Sequence, residues 1–228
     1  MNLLMNMLAV ADQGPSGTSS QERILDAAEA EFVHAGFGGA GMKAIAQSAG
    51  VAQALLHYHF GSKEKLYEAV IARRAATISA SREKQLEAVD LTAEDALEGI
   101  FDAIFRPTLV EEDSARAYAV IFSGKKPSDY DSHYLIDKYY DPTARKFIAA
   151  LQKAEPRASL DSAAWSYTLA IGAIMGAVGQ FGRVERLTGK AAATDKRIYN
   201  ERLIQILVAN AVGGLRGLIE SEEQKKRI

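Results

Sequence analysis

Cysteine is absent from this chain of 228 residues. Its absence excludes disulfide frameworks, thiolate zinc sites, iron–sulfur clusters and cysteine nucleophiles together. An excess of positive charge is also missing, because 27 basic residues stand against 29 acidic ones and give a net charge of −2. No overall positive field therefore attracts nucleic acid, and any contact with DNA must be local. A cytoplasmic location fits this composition and is our expectation.

Strand-like alternation is missing as well, since no stretch repeats apolar and polar residues with a period of two. Apolar residues recur instead at helical spacing, and 48% apolar with 25% charged residues is enough for a folded core. We predict an all-α fold of about nine helices. It comprises a flexible arm at 1–18, a helix-turn-helix head at 19–66 and a larger helical body at 67–228.

Two apolar stretches raise the question of a membrane. Residues 1–11 end in Ala-Val-Ala, but they lack Lys and Arg and contain two asparagines, which is a poor signal peptide. Residues 162–182 hold no charged side chain and are long enough to span a bilayer. Their serines, threonine, glutamine and four glycines favour a buried helix of a soluble protein instead. We therefore expect no membrane partner.

Helix boundaries can be predicted from capping and breaking residues. Ser19 begins a capping-box pattern, and the helix that follows is predicted to stop at Gly36. Thr92 begins a similar pattern, and its helix is predicted to end at Pro107. Pro142 either kinks a later helix or restarts it. The remaining predicted helices span about 112–124, 129–153, 160–186 and 196–221.

Residues 42–60 read as two short helices joined by Gly50-Val51-Ala52, which is a helix-turn-helix pattern. The positions predicted to face inward are Ile45, Ala46, Val51, Leu56 and Phe60. The outward positions are Gln53, Ala54, His57 and Tyr58. Glutamine can pair with adenine edges in the major groove, and a small alanine permits close approach. The pattern is compatible with DNA binding, although an αα corner without DNA would show it too.

Local charge supports DNA binding modestly. Between residues 37 and 66 three lysines stand against the single acidic residue Glu64. Lys43 and Lys63 lie near predicted helix starts, where backbone N–H groups also attract phosphate.

The head contains a recognisable set of motifs: Met42-Lys43-Ala44-Ile45-Ala46, Ala49-Gly50-Val51, and the run LLHYHFGSKEKLY at 55–67. Together they resemble the TetR family of bacterial transcriptional repressors. The resemblance implies a homodimer whose heads bind a palindromic double-stranded DNA operator and whose body binds a small-molecule inducer. It implies no enzyme activity, no catalytic residue and no cofactor. The residues expected to contact DNA are Gly41, Lys43, Gln53, Ala54, His57, Tyr58, His59 and Lys63.

Three departures from the family pattern stand in the same segment. Gly41 stands where the family often has a serine or threonine at the start of the second helix, and glycine still caps acceptably. Ala52 replaces a serine that often precedes the recognition helix, which removes a cap worth about 1 kcal/mol and a phosphate contact. His57 replaces a common tyrosine. Because phosphates favour the cationic form of histidine, DNA affinity is expected to strengthen below about pH 6.5.

The body carries apolar groups at helical spacing. By resemblance, some of them line an inducer cavity, and our candidates are Phe101, Phe105, Tyr118, Phe122, His133 and Trp165. Stripes of small and apolar residues on the last two long helices predict a two-fold interface between subunits. The candidates there are Leu169, Gly172, Gly176, Leu203, Leu207, Gly214 and Leu218.

Three other interpretations compete. A metal site at His57 and His59 is disfavoured because residues two apart on a helix point in different directions, so we predict no metal. An enzyme is disfavoured because nucleophile-elbow, phosphate-loop and dinucleotide-binding motifs are absent. A helical interaction or adaptor protein with a degenerate head stays open, because the total charge is nearly neutral and Ala52 lacks a hydroxyl.

Overall fold

A computed structural model describes residues 19–110, 132–179, 183–189 and 195–226. These residues form ten helices and no β-strand, which confirms the all-α prediction. The predicted arm at 1–18 and the predicted helix at 112–124 lie outside the described residues. The helices are α1 Ser20–Gly39, α2 Met42–Ser48, α3 Gln53–Phe60, α4 Lys63–Glu87, α5 Ala96–Val110, α6 Ser132–Tyr139, α7 Asp141–Ala154, α8 Leu160–Gly179, α9 Arg183–Thr188 and α10 Lys196–Lys225.

Backbone contacts divide the chain into two units, and the division falls inside α4 after Ala75. We call residues 19–75 the head, and residues 76–110 together with 136–226 the body. The predicted limits at 66 and 67 stay a prediction, because α4 runs through both units without a break.

The first helix of the head begins with the predicted capping box. The Ser19 hydroxyl accepts a hydrogen bond from the backbone N–H of Glu22 at 3.2 Å, and the Glu22 carboxylate accepts one from the N–H of Ser19 at 3.3 Å. Gly36 interrupts the helical geometry of α1 with a φ of 66°, a conformation that glycine adopts without strain. Both predicted boundaries are confirmed, although helical residues resume briefly up to Gly39.

A buried carboxylate fastens α1 to the first half of α4. Nη2 of Arg73 lies 3.0 Å from the Glu29 carboxylate, and Nε of Arg74 lies 2.8 Å from it. Arg73 also pairs with the exposed Asp26 at 2.7 Å. The sequence does not signal this arrangement, because partners more than forty residues apart leave no local pattern.

The body is built around α5, which contacts α7, α8 and α10. Its apolar side chains Ile100, Phe101, Ile104 and Phe105 have no exposed surface, since the apolar faces of the neighbouring helices cover them. One continuous apolar core therefore holds the described part of the body together.

Two predictions about α5 are wrong. Thr92 hydrogen-bonds to Asp90 rather than capping the helix, which begins at Ala96. Pro107 does not end the helix, which continues to Val110. Pro107 lacks the N–H that would donate to the carbonyl of Ala103, but a buried side chain binds the helix on both sides of the proline. The buried Arg82 donates from Nε to the Ile104 carbonyl and from Nη2 to the Thr108 hydroxyl, each at 3.0 Å.

Other predicted helices are divided or extended. The single helix predicted at 129–153 is two helices, α6 and α7. Pro142 lies in the first turn of α7, so it restarts the helix rather than kinking it. The prediction at 160–186 becomes α8 and α9, while the last helix extends to Lys225. Asp195 caps that helix by accepting from two backbone N–H groups.

In the described part of the chain, α10 is the one helix long and apolar enough by composition to cross a membrane. Its buried residues Ile204, Leu207, Val212, Leu215 and Ile219 belong to the apolar core of the body. A core helix of a soluble protein gives the same signature, so this observation is weak evidence for a membrane span.

Candidate nucleic-acid interface

The helix-turn-helix of the head is formed by α2 and α3. Gly50 turns the chain between them with a φ of 65°, and the N–H of Val51 donates to the carbonyl of Ala46 at 3.0 Å. Four of the five predicted inward residues are buried and Val51 is half-buried, as expected for the inner side of the motif. The inner face of α3 is therefore buried against the rest of the head.

The opposite face of α3 is open to solvent. Gln53, Ala54, His57 and Tyr58 are all exposed, and Tyr58 leaves 74% of its surface uncovered. A large aromatic ring that is this exposed on a short helix is available for contact with another molecule. The predicted outward placement of these four residues is confirmed, while their contact with DNA stays a prediction.

The two histidines of α3 have different surroundings. His57 lies with Nδ1 3.0 Å from the Gly61 carbonyl oxygen and Nε2 3.5 Å from Nε2 of Gln53. His59 is half-buried, and its Nε2 lies 3.0 Å from the hydroxyl of Ser20, which is itself buried. His59 thus joins α3 to the start of α1, and any contact that it makes with phosphate would be additional to this role.

Lysines stand at the starts of two helices, as predicted. Lys43 is exposed in the first turn of α2. Lys63 begins α4, and its ammonium group lies 4.7 Å from the centre of the Phe37 ring. This cation–π contact positions the charge near the turn after α3.

The helix starts at Gly41 and Ala52 carry no side-chain cap. Ala52 has the extended backbone of an N-cap residue, with φ −67° and ψ 139°, but no hydroxyl to accept from the first turn. Backbone N–H groups at such a start can bind an anion such as phosphate.

The candidate inducer residues are only partly described. Phe101 and Phe105 are fully buried, with ring centres 6.4 Å apart, inside the body core. Trp165 differs, since 54% of its surface is exposed on the same face of α8 as Leu169. Tyr118, Phe122 and the side chain of His133 lie outside the described residues. Trp165 is therefore exposed whereas Phe101 and Phe105 are buried, so the structure does not bring these candidates together in one place. The inducer cavity stays a prediction.

The candidate dimer residues divide into exposed and buried ones. Leu169 is 58% exposed, and Gly172, Gly176 and Gly214 are exposed as well. Leu203 and Leu218 are half-buried. Leu207 packs in the protomer core, so the structure does not present it to a partner. The residues predicted as one stripe on α10 lie on different faces of the helix, because Leu207 is buried and Gly214 is exposed. Apolar residues occur on all sides of this helix.

A further exposed face of α10, which the predicted stripe does not include, contains Ile206, Ala209, Gly213 and Gly217. Among the described residues, a Cβ added at Gly172, Gly176, Gly213 or Gly217 would meet no atom within 4 Å. Packing within the described part of the protomer therefore does not require these glycines. The small residues at 209, 213 and 217 repeat every four positions, which is the signal that could have located this face.

Comparison with known proteins agrees with this arrangement. A profile described as bacterial regulatory proteins, tetR family, matches residues 24–70, and one described as tetracyclin repressor-like, C-terminal domain, matches residues 100–210. A curated relative, the HTH-type transcriptional regulatory protein RaaS of Mycobacterium tuberculosis, is 42% identical over 74 residues. That match covers 32% of this chain and 34% of the relative, about a third of its length.

Solved structures extend the likeness to the whole fold. A TetR-like transcriptional regulator from Rhodococcus sp. RHA1 has a TM-score of 0.60 at 16% identity, over 87% of this chain and 97% of that one. The TetR family transcriptional regulator PfmR from Thermus thermophilus has a TM-score of 0.57 at 20% identity, over 85% of this chain and 97% of that one.

The exposed helix of a helix-turn-helix on an all-helical body defines a DNA-binding regulator. The two matching profiles together cover more than half of the chain, and the chain belongs to the TetR family of transcriptional regulators.

Proposed function

We propose that this protein is a homodimeric, cytoplasmic repressor that binds a palindromic operator through α3 and releases it when a small molecule binds the body. The observation that carries the proposal is the outward face of α3, where Gln53, Ala54, His57 and Tyr58 are exposed above a buried inner face. Polar and small side chains on such a face suit the edges of bases in the major groove. We propose no catalytic role for any residue.

Exposed surface on the body supports the dimer. Trp165 and Leu169 stand one turn apart on α8, and both are more than half exposed. Together with the glycines that meet no neighbour, they form an apolar face suited to close helix approach. A second copy of the chain placed on this face would bury it around a two-fold axis. Two heads related by that axis match a palindromic site.

The helix α4 supports a path from inducer to DNA. Its first half is held to α1 by the ion pairs of Glu29, and its second half is held to α5 by Arg82. A ligand that prefers one position of α4 would change the spacing of the two heads. Predicted cavity residues of the body, including Phe101, Phe105 and Trp165, are where we expect that ligand to act.

The direct test is equilibrium binding of the purified protein to a fluorescent duplex from its own upstream intergenic DNA, at low and at physiological salt. We expect saturable binding that exceeds binding to random duplex DNA and weakens as salt rises, because released counterions contribute to affinity. A folded dimer that binds this duplex no better than random DNA would favour the adaptor interpretation. If the binding is specific, inducers can be sought as compounds that abolish this specific signal.

A further inference from the structure

An aromatic ring of α1 supports the first charged side chain of α4. Lys63 is the first residue of α4 and is half-buried, and its ammonium group lies over the Phe37 ring, 4.7 Å from the ring centre. At this distance the positive charge is attracted to the negative face of the ring. The contact therefore restricts where a long and flexible side chain places its charge.

The Phe37 ring is itself held in place. Gly36 turns the backbone with a φ of 66° directly before it, and only 8% of Phe37 is exposed. The ring stacks on that of Phe32, with the centres 6.0 Å apart, and is steeply inclined to that of Tyr67, 5.1 Å away. Tyr67 follows Lys63 by one helical turn, so the two side chains share one side of α4. The lysine is therefore held against a ring that packing has fixed.

The start of α4 directly follows the outward face of α3. Gly61 joins the two helices, and its carbonyl oxygen lies 3.0 Å from Nδ1 of the outward residue His57. Its N–H donates to the His57 carbonyl at 2.8 Å. Lys63 comes two residues later. A charge held at this helix start is therefore placed beside the backbone of any DNA whose bases α3 contacts.

The backbone at the start of α4 is already bound by side chains. The Ser62 hydroxyl accepts from the N–H of Lys65 at 3.3 Å. Hydrogen bonds from its own backbone N–H and from Ser62 hold the pKa of Glu64 below its usual value. A phosphate at these N–H groups would have to displace both side chains and would meet the charge of Glu64. The ammonium group of Lys63 is therefore better suited to bind a phosphate than the helix start itself.

Lys65 is the other lysine of this turn, and it differs from Lys63 in freedom. Its side chain is exposed, whereas that of Lys63 is half-buried against a ring. Binding of Lys65 to a phosphate would have to restrict a mobile side chain, at a cost in conformational entropy. Much of that freedom is already lost at Lys63 before any DNA binds.

We propose that Phe37 is a positioning residue for DNA binding, whose ring holds the Lys63 ammonium group where it contacts a backbone phosphate. The proposal rests on the proposed DNA-binding function. Because phosphate contacts carry no sequence information, the effect of Phe37 should be the same on every duplex.

The test is a double-mutant cycle between Phe37 and Lys63, measured as binding of the full-length protein to a fluorescent duplex of random sequence at low salt. Phe37→Leu keeps an apolar side chain but removes the aromatic face. We expect it to weaken binding by about threefold to fivefold per head, the effect of losing a partly exposed cation–π contact.

The background decides what that loss means. In Lys63→Met the charge is gone, so Phe37→Leu should cause no further loss of DNA affinity. In Lys65→Met, the matched control, the full loss should persist. A loss of equal size in the Lys63→Met background would show that the ring acts through the fold of the head, and would overturn the proposal. A gain of affinity in Phe37→Leu would overturn it too, because the ring would then withhold the charge from phosphate.

A second variant covers the case in which Phe37→Leu is not folded by circular dichroism. Pentafluorophenylalanine in place of Phe37 keeps the shape of the ring, but its fluorine atoms withdraw the negative charge from the face. It should weaken DNA binding when Lys63 is present and leave binding unchanged in Lys63→Met. Unchanged binding in the presence of Lys63 would contradict the inference.

The wild-type protein separates this inference from the proposed function. Salt-dependent binding to DNA without coupling between Phe37 and Lys63 would overturn the inference alone. A folded wild-type dimer that binds no duplex in a salt-dependent way would contradict both the inference and the proposed function.

Discussion

Both the head and the body have buried apolar side chains, but the head adds a buried carboxylate that joins two of its helices. In the head, the buried carboxylate of Glu29 accepts hydrogen bonds from Arg73 and Arg74, so charge fastens α1 to α4. In the body, Phe101 and Phe105 are buried in a continuous apolar core. Ion pairs fix direction and are sensitive to the loss of one partner, whereas apolar contacts are summed over a large area. The comparison teaches that each unit depends on a few buried residues of different chemistry, an ion-paired carboxylate in the head and large apolar side chains in the body.

The largest expected effect is in the body. Phe101→Ala should destabilise it by about 3–5 kcal/mol, because truncation of a fully buried phenylalanine leaves a cavity. Denaturant unfolding followed through the single tryptophan, Trp165, reports on the body. Leu160→Ala, at a side chain with 65% of its surface exposed, is the control and should change stability by less than about 0.5 kcal/mol. Equal effects of the two variants would contradict the described core.

The head should respond to removal of one charge. Glu29→Gln keeps the shape of the side chain but leaves two arginines without their buried carboxylate. We expect a loss of about 2–3 kcal/mol, less than for a fully buried pair because the arginines are partly exposed. In denaturant unfolding of this variant, the circular dichroism signal of the helices should show an additional transition at lower denaturant concentration than in the wild type. The fluorescence of Trp165 should keep a midpoint near that of the wild type.

Asp26→Asn is the matched control for that change. Asp26 contacts the same Arg73 at 2.7 Å, but 66% of its side chain is exposed. An exposed ion pair is worth about 0–1 kcal/mol, so this variant should be nearly silent. If Asp26→Asn cost as much as Glu29→Gln, burial of the carboxylate would not be what distinguishes the head.

One ion pair in the body should add a modest pH dependence. Hydrogen bonds from Lys146 and Thr143 hold the pKa of Glu83 below its usual value. The resulting stabilisation is present above the unfolded-state pKa of about 4.3 and is lost as pH falls through the lower folded-state pKa. Unfolding free energies of the wild type and Glu83→Gln should converge as pH falls below about 4. A constant difference between them down to the acid limit would contradict this assignment.

The smallest expected effect is a gain. Ala52→Ser should stabilise the head by about 1 kcal/mol, because the backbone at residue 52 already has N-cap geometry. A thermal melt measures this change. Ala54→Ser, on the exposed face of the same helix, is the control and should give no gain, since a serine inside a helix does not cap it. Unchanged stability of Ala52→Ser would show that the start of α3 gains nothing from a cap.

Local patterns predicted the head well. The capping box at Ser19, the breaks at Gly36 and Gly50, and the two faces of α3 depend on neighbours within a few residues, so spacing was sufficient.

The predicted helix end at Pro107 was wrong because the contacts around this residue come from remote parts of the chain. Pro107 removes only the N–H that would donate to Ala103, while Arg82 binds the helix beside it through the Ile104 carbonyl and the Thr108 hydroxyl. These partners are 22 and 26 residues away in the chain, so no local pattern predicts them.

The surfaces of the body were predicted less well. Because α10 has apolar residues on every side, its periodicity did not distinguish buried Leu207 from exposed Ile206. The partners of Glu29 lie on another helix, and no spacing rule joins residues that far apart in the chain.

The central claim is that the exposed face of α3 reads DNA while lysines at helix starts bind its backbone. The most direct measurement compares Gln53→Ala and Lys43→Ala in binding to a selected duplex and to random DNA across a salt series. We predict that Gln53→Ala loses the preference for the selected sequence by about 1–3 kcal/mol, whereas Lys43→Ala weakens both duplexes alike and flattens the salt dependence. If both variants changed only the preference, or neither changed binding, the account would be contradicted.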